Sequence, residues 1–226
     1  MSESKKLVWD QPEDKMYKVG VEQGAMYLQK PDGTYDSGVA WSGLTKVNLS
    51  PSGAEPTKLY ANNKVYMVIM SKEELSMNIS AYTYPDEFEV CQGKVDITPG
   101  FSAGQQQRKP FGFVHKSLIG SPDEGPSKGY ELHLVYGALA SPVEEEHATI
   151  NETIEPPEMS WDCATTPVDV PGFVATSYLK FNSLNFDSTK LKELEAILYG
   201  SETEAPRLPL PTELIDKFGL KEIPQG

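Results

Sequence analysis

Residues 75–82 read LSMNISAY, a stretch in which apolar and polar side chains alternate. A period of two is typical of a β-strand that has one buried and one exposed face. The same alternation recurs at 130–136, YELHLVY, and at 159–164, MSWDCA. These three segments decide the fold class, because their period predicts strands and not helices.

Weaker strand predictions fill much of the chain around these three segments. Most of them are bounded by Gly, Pro, Asn or Asp, and they cover residues 26–29, 45–49, 65–70, 94–98, 111–119 and 173–181. Eight or nine strands without alternating helices predict an antiparallel β-sandwich or barrel. The predicted fold class is therefore mainly β.

One amphipathic helix is predicted at about 188–199. Its apolar side chains fall on one face, and they are Leu191, Leu194, Ile197 and Leu198. Asp187 or Ser188 can cap the first turn, and Gly200 suits a left-handed end. The apolar stripe should pack on the sheet, so we expect a sandwich flanked by one α-helix. A helical turn at 86–90 is a weaker prediction.

The chain is predicted to contain an N-terminal arm at 1–23, a β-sandwich domain at 24–200 and a C-terminal arm at 201–226. Prolines in the last segment keep residues 207–211 extended, and a short helix capped by Thr212 is predicted to follow as far as residue 218. Such an extended arm can lie along a neighbouring molecule or dock on its own domain. The sequence leaves both alternatives open.

A long inter-strand loop is predicted at about 30–64. Within and beyond it, residues 37–66 read SGVAWSGLTKVNLSPSGAEPTKLYANNKVY, with frequent Gly, Pro and Ser. Long ordered loops are usually functional, and unfolded linkers lack aromatic and branched apolar residues of the kind found here. We therefore predict a loop that contacts a partner. The candidate contact residues are Trp41, Leu44, Pro51, Leu59 and Tyr60.

The negative charge is concentrated in one part of the chain. The formal net charge is -13, and residues 129–179 contain no Lys or Arg. The acidic residues of this stretch are Glu131, Glu144, Glu145, Glu146, Glu152, Glu155, Glu158, Asp162 and Asp169. Phosphate binding requires basic side chains, so tight nucleic-acid binding is not expected. The stretch is either a solvated face that aids solubility or a channel wall that repels phosphate and lets DNA slide.

The sequence lacks recognisable catalytic patterns. Of the three histidines, His115, His133 and His147, the last two have no spacing that suggests a catalytic triad or a metal site, and each of these two is expected to be solvated. Phosphate-cradling, dinucleotide-binding and nucleophile-elbow motifs are absent from the sequence. Cys91 and Cys163 are expected to be buried free thiols. We predict no enzymatic activity, no cofactor and no metal site.

The sequence also bears on the compartment. No apolar run approaches the roughly 20 residues that span a bilayer. The first residues, MSESKKLVWD, have no apolar core of a signal peptide. The expectation is a soluble chain that is not exported.

Seven segments, spread over nearly the whole chain, carry a family resemblance through their order and spacing. They are LVWDQ (7–11), GVAWSGL (38–44), SPSGAEPTKLYA (50–61), AYTYPDEFEVCQG (81–93), LHLVYGALASP (132–142), TTPVDVPGF (165–173) and LPLP (208–211). Together they resemble the major tail tube proteins of long-tailed, siphovirus-type phages of Gram-positive bacteria. No single segment is a chemical motif.

The resemblance implies the phage tail tube fold and a structural role. Subunits of that family self-assemble into hexameric rings, which stack into a hollow tube through a long loop and terminal arms. DNA passes through the lumen without specific binding, and the acidic stretch would line that lumen. The implied partners are the tape measure protein, the tail terminator and the distal tail proteins. The implied location is the virion tail, with assembly in the host cytoplasm.

A second function class is a secreted carbohydrate-binding β-sandwich module. Such a module would use exposed aromatic side chains, for which Trp9, Trp41 and Tyr82 are candidates. The missing export signal counts against this alternative. An enzyme with an unfamiliar site is a third and more remote alternative.

Overall fold

The computed structural model describes residues 7, 9–11, 15–147, 149 and 156–219. This part of the chain is mainly β and antiparallel, which confirms the predicted fold class at that level. The strands are β1 (Tyr17–Leu28), β2 (Val39–Trp41), β3 (Leu44–Gly53), β4 (Pro56–Ala61), β5 (Lys64–Met70), β6 (Glu73–Ala81), β7 (Val95–Thr98), β8 (Phe101–Ala103), β9 (Phe111–Ser121), β10 (Gly125–Ala140), β11 (Met159–Thr165) and β12 (Tyr178–Asn182). The helices are α1 (Ser188–Tyr199) and α2 (Pro211–Phe218), and a 3-10 helix spans Asp86–Cys91.

Eight strands form one antiparallel sheet, in the order β2-β1-β9-β10-β11-β6-β3, with β12 also paired to β10. One edge of β10 has two successive neighbours, β12 along residues 131–135 and β11 along 138–140. The change of neighbour falls at Gly137, which has a φ of 58°. A Cβ at this position would lie 2.6 Å from the Thr166 carbonyl oxygen, so only glycine fits. The irregularity in β10 marks the place where the sheet divides into two halves.

One face of the sheet encloses an aromatic core. Trp161 of β11 is fully buried, and its ring lies 5.6 Å from Trp41 and 5.4 Å from Phe88, centroid to centroid. Met77 and Ile79 of β6 point into the same core, as the alternation of residues 75–82 predicts. The inward residues of β6 and β11 thus face those of β1, β9 and β10.

The opposite face of β1, β9 and β10 is covered by the helices. The buried residues of α1 are the predicted stripe, Leu191, Leu194, Ile197 and Leu198. Leu191, Leu194 and Leu198 belong to the same core as Leu132, Leu134 and Tyr136 of β10. Asp187 caps α1 by accepting hydrogen bonds from the backbone N–H groups of Thr189 and Lys190. The predicted helix and its buried face are confirmed.

The C-terminal segment docks on its own domain as far as it is described. Tyr136 Oη donates a hydrogen bond to the Pro209 carbonyl at 3.0 Å, and Lys190 Nζ donates to the Phe218 carbonyl at 2.7 Å. Leu208, Leu214 and Phe218 are buried in the helical core. Of the two alternatives that the sequence left open for the C-terminal arm, docking on its own domain therefore holds for residues 206–218. Helix α2 begins at Pro211, so the expected cap at Thr212 is wrong.

The predicted domain limits and the predicted loop need correction. Strand β1 begins at Tyr17, so the last residues of the expected N-terminal arm belong to the sheet. The long loop at about 30–64 is mostly β-structure, because it contains β2, β3 and β4. Gly and Pro residues suggested a loop here, whereas pairing of β2 with β1, β3 with β6 and β4 with β5 makes these residues strands.

Candidate assembly surfaces

A two-stranded ribbon projects from the sheet between β3 and β6. Strands β4 and β5 pair only with each other and form a separate sheet. The turn between them, Asn62-Asn63, has φ values of 52° and 62°, as expected for a tight hairpin turn with two left-handed residues. We call residues 56–70 the ribbon, and the paired strands β3 and β6 its arm.

The ribbon exposes apolar side chains on both faces. Register pairs such as Leu59 with Met67 lie on one face, and Lys58 with Val68 lie on the other. The exposed fractions range from 41% for Leu59 to 70% for Tyr66. The exposed apolar residues are Leu59, Tyr60, Val65, Tyr66, Met67, Val68, Ile69 and Met70. An isolated two-stranded hairpin is at best marginally stable in water, and a large apolar patch marks an interaction site.

The predicted contact residues are separated by the fold. Leu59 and Tyr60 lie on the ribbon, and Pro51 is exposed on the arm. Leu44 is half-buried and packs on the aromatic core. Trp41 is buried, and its indole N–H donates to the Thr83 carbonyl at 2.9 Å. The prediction that Trp41 makes an intermolecular contact is therefore wrong, because the side chain is part of the core.

The most apolar part of the ribbon, residues 65–70, was not among the predicted contact residues. Residues 65–70, VYMVIM, were predicted as an ordinary strand. The continuous apolar run is typical of a strand covered on both faces. Here residues 65–70 are exposed on both faces of the ribbon as far as the chain is described.

A second surface is the outer face of β3, β6 and β11. The register places three rows across these strands: Lys46, Ser80 and Ser160; Asn48, Asn78 and Asp162; Ser50, Ser76 and Ala164. Asn78 Nδ2 donates to Asp162 Oδ1 at 2.7 Å and to Ser160 Oγ at 3.0 Å. The side chains are short, and the one lysine and one aspartate cancel in charge. We call this surface the polar face.

The predicted acidic residues occupy different environments. Glu144, Glu146 and Asp169 are exposed, Glu145 pairs with Lys94 at 2.5 Å, and Glu158 accepts a hydrogen bond from the Thr45 hydroxyl. Asp162 lies on the polar face. Glu152 and Glu155 lie outside the described residues. Only some members of the stretch are therefore free, exposed carboxylates.

Glu131 is a correction to the set of candidate lumen residues. Its side chain is 3% exposed, and it lies 2.8 Å from Lys18 Nζ and 3.1 Å from Lys180 Nζ. Burial raises the pKa of Glu131, but hydrogen bonds from the two lysines outweigh this effect and hold the pKa below its usual value. A buried carboxylate paired with two cations cannot act as a free negative charge on a channel wall.

Two buried histidines lie beside Glu131, and one of them, His133, was expected to be solvated. His115 and His133 face each other across β9 and β10, with ring centroids 4.5 Å apart and nearly parallel planes. His133 Nε2 lies 2.7 Å from Ser117 Oγ, and Nδ1 lies 2.7 Å from Tyr178 Oη. Burial lowers the pKa of His115 to about 3 and that of His133 to about 4. Both imidazoles are therefore neutral at pH 7.

Ser117 and His133 lie within hydrogen-bonding distance, as the nucleophile and its general base do in some enzymes. Three cavities with volumes of about 610 to 910 Å³ are lined by other residues, so neither Ser117 nor His133 faces one of these cavities.

Cys91 and Cys163 are buried free thiols, as expected, and burial raises the pKa of each to about 12. Such thiols are not nucleophiles at pH 7.

The described ranges hold neither a cluster of metal ligands nor a membrane-spanning helix. There, no group of three His, Cys, Asp or Glu side chains is placed to hold a metal ion. None of the helices described is long and apolar enough to cross a membrane. The burial of Trp41 also removes one of the three aromatic residues expected for a carbohydrate site, whereas Trp9 and Tyr82 are exposed.

No protein-family model matches this chain, and no curated protein matches it.

Proposed function

We propose that the protein is a structural subunit that assembles with copies of itself into stacked hexameric rings around a hollow channel, as a phage tail tube protein does. The ribbon is the observation that carries this proposal. It is apolar on both faces, exposed on both faces and attached to a paired arm. Burial of such a surface drives association at about 25 cal/mol per Å² of apolar area, and a copy of the same chain is the simplest partner.

A tube requires contacts in two directions, around each ring and between rings. Contacts between unlike surfaces close into a ring or continue as a filament, depending on the rotation they impose. The chain has exposed apolar residues away from the ribbon that suit a second contact. They include Met16, Tyr17 and Val19 near the start of β1, and Val95, Ile97 and Phe101 on the β7–β8 hairpin.

The polar face suits the wall of a channel for DNA. Its hydroxyl and amide groups bond largely to one another, and its charges cancel. Such a surface offers phosphates neither a cluster of cations to bind nor an apolar patch. Asp162 is the acidic residue of this face, and Lys46 on the same face balances its charge. The candidate lumen residues are therefore those of the polar face, in place of the acidic stretch as a whole.

The remaining parts of the proposal follow from the family resemblance. The tape measure protein would occupy the tube during assembly, and the tail terminator and distal tail proteins would bind its two ends. The protein would act in the virion tail after assembly in the host cytoplasm. DNA would pass through the lumen without specific binding. No catalytic role and no cofactor belong to this proposal.

Removal of the ribbon tests the proposal. Gly53 and Glu73 are register partners at the end of the arm, so an Asn-Gly turn in place of residues 54–72 can join them. We expect a folded monomer that forms no rings or tubes, because the core lies outside the ribbon. Circular dichroism and denaturant unfolding report the fold, and electron microscopy of the concentrated protein reports assembly.

The unaltered chain is the reference for this experiment. It should form rings or tubes as its concentration rises. A strictly monomeric protein at every concentration would contradict the proposed function. Tubes formed by the shortened chain would show instead that other surfaces, such as the β7–β8 hairpin, carry the axial contact.

Charge reversal on the polar face tests the channel assignment. Asp162→Lys together with Asn78→Lys should leave the rings intact and make DNA adhere to the tube. Each added lysine that contacts a phosphate releases a counterion, so the binding should weaken steeply as salt rises. Filter binding of DNA at several salt concentrations measures this effect.

A matched control is Glu193→Lys on the exposed side of α1. It adds positive charge to the chain at a place away from the polar face. We expect it to leave DNA retention unchanged. Equal DNA binding by the control and the polar-face variant would place the channel wall elsewhere.

A further inference from the structure

The ribbon and an acidic cleft lie at opposite ends of the same strands. Strand β6 runs from Glu73, where the arm meets the ribbon, to Ala81 at the far end. Its length is about 30 Å at 3.3 Å per residue. Immediately beyond Ala81 lies a cavity of about 610 Å³, which we call the acidic cleft. The lining of this cleft includes Tyr82, Val143, Glu144, Glu146, Glu158 and Met159.

The charges of the two surfaces are opposite. Residues 56–72 contain Lys58, Lys64 and Lys72 and no acidic residue, within a chain of net charge -13. The cleft carries Glu144, Glu146 and Glu158, while the neighbouring Glu145 is already paired with Lys94 at 2.5 Å. Three carboxylates therefore face the cleft without a lysine of their own among the described ion pairs.

The apolar parts of the two surfaces also suit each other. Tyr82 at the cleft is 55% exposed, and Val143 and Met159 are half-buried. The ribbon offers Tyr66, which is 70% exposed, and Met67, which is 43% exposed. Aromatic pairs and contacts of methionine sulfur with aromatic rings are both favourable. Among the described residues, these side chains of the ribbon and of the cleft therefore keep much of their surface uncovered.

We propose that the ribbon of one copy docks in the acidic cleft of the next copy along the tube. Lys58 and Lys64 then lie beside Glu144, Glu146 and Glu158, and Tyr66 packs near Tyr82. Because the two surfaces are at opposite ends of β6, the contact repeats head to tail and does not close on itself, which is the geometry of an open filament. This inference rests on the proposed function and assigns the surface that receives the ribbon.

A charge exchange in the full-length chain tests this docking. Lys58→Glu with Lys64→Glu reverses the charge of the ribbon. Glu144→Lys with Glu146→Lys reverses the charge of the cleft. Each pair alone should raise the critical concentration for polymerisation about tenfold or more, because attractive contacts become repulsive. The chain with all four substitutions should polymerise near the original concentration. Sedimentation of polymer at low salt measures the critical concentration.

A cysteine cross-link gives a second readout. Tyr66→Cys with Tyr82→Cys should yield covalent oligomers when tubes are oxidised, whereas either single variant should not. Cys91 and Cys163 are buried and do not compete.

The outcomes separate the two proposals. If the unaltered chain forms tubes but the four-substitution chain is not restored and no cross-link forms, the docking assignment is wrong and the tube function stands. If the unaltered chain never polymerises, both are wrong. Circular dichroism of each variant checks that the exposed substitutions leave the fold intact.

Discussion

Leu194→Asp is expected to unfold the domain. Leu194 is fully buried between α1 and the sheet. The substitution removes a large apolar side chain, at a cost of roughly 2–5 kcal/mol, and buries a carboxylate without a partner, which adds several kcal/mol. The sum is comparable to the typical stability of a domain, about 5–15 kcal/mol. Urea unfolding followed by circular dichroism should show a large loss of stability or an unfolded protein.

The matched control is Lys192→Asp, two residues earlier on the exposed side of the same helix. Surface substitutions usually change the free energy of unfolding by less than about 0.5 kcal/mol. We expect the control to unfold close to the unaltered protein. Similar losses from both substitutions would contradict the packing of α1.

The second large effect is a loss of stability in mild acid. His115 and His133 are buried and neutral in the folded protein, with pKa values of about 3 and about 4. The unfolded chain binds protons at these histidines near pH 6.5. Because the unfolded state binds more protons between these values, stability is complete above about pH 6.5 and falls as the pH decreases. Each histidine contributes a slope of up to about 1.4 kcal/mol per pH unit.

The surrounding charges make protonation of the folded cluster unfavourable. Two imidazolium rings would lie 4.5 Å apart. Lys18 and Lys180 on the neighbouring strands lower the pKa of His133 further, while Glu131 opposes them. Because Glu131 is already paired with both lysines, it is not free to compensate two further positive charges.

Urea midpoints measured from pH 7.5 to pH 4.5 test this expectation. His115→Phe keeps an aromatic ring at the site and removes one titrating group, so the fall in stability should become about half as steep. Carboxylate titration lies mostly below this range. A stability that stays level down to pH 4.5 would mean that the histidines are accessible to water and protons in the folded protein.

The local sequence pattern was sufficient to predict the strands and the helix whose buried side chains recur at a regular period. The alternation at 75–82 and 159–164 identified the inward residues Met77, Ile79 and Trp161, and the helical spacing at 188–199 identified the face that carries Leu194. These predictions hold because the period of a strand or helix fixes which side chains share a face. A strand or helix with one apolar face can therefore pack that face against the core.

Local pattern was insufficient for the candidate surfaces. The segment 37–66 was predicted to be a contact loop, yet Trp41 lies in the core and the apolar residues 65–70 are exposed. An apolar run has the same appearance whether its own chain or another copy covers it. The expected solvation of His133 was wrong for a similar reason, since its burial depends on the register that places it opposite His115.

The mainly β class, the amphipathic helix and the two buried thiols could be predicted from local sequence, because each depends on side-chain period or on the chemistry of single residues. Which faces remain uncovered depends on the packing of distant segments. Lys18 and Glu131 meet although they are 113 residues apart, and the ribbon stays exposed because no element of the described chain packs over it. Contacts of this range depend on strand order and register, which a local period does not encode.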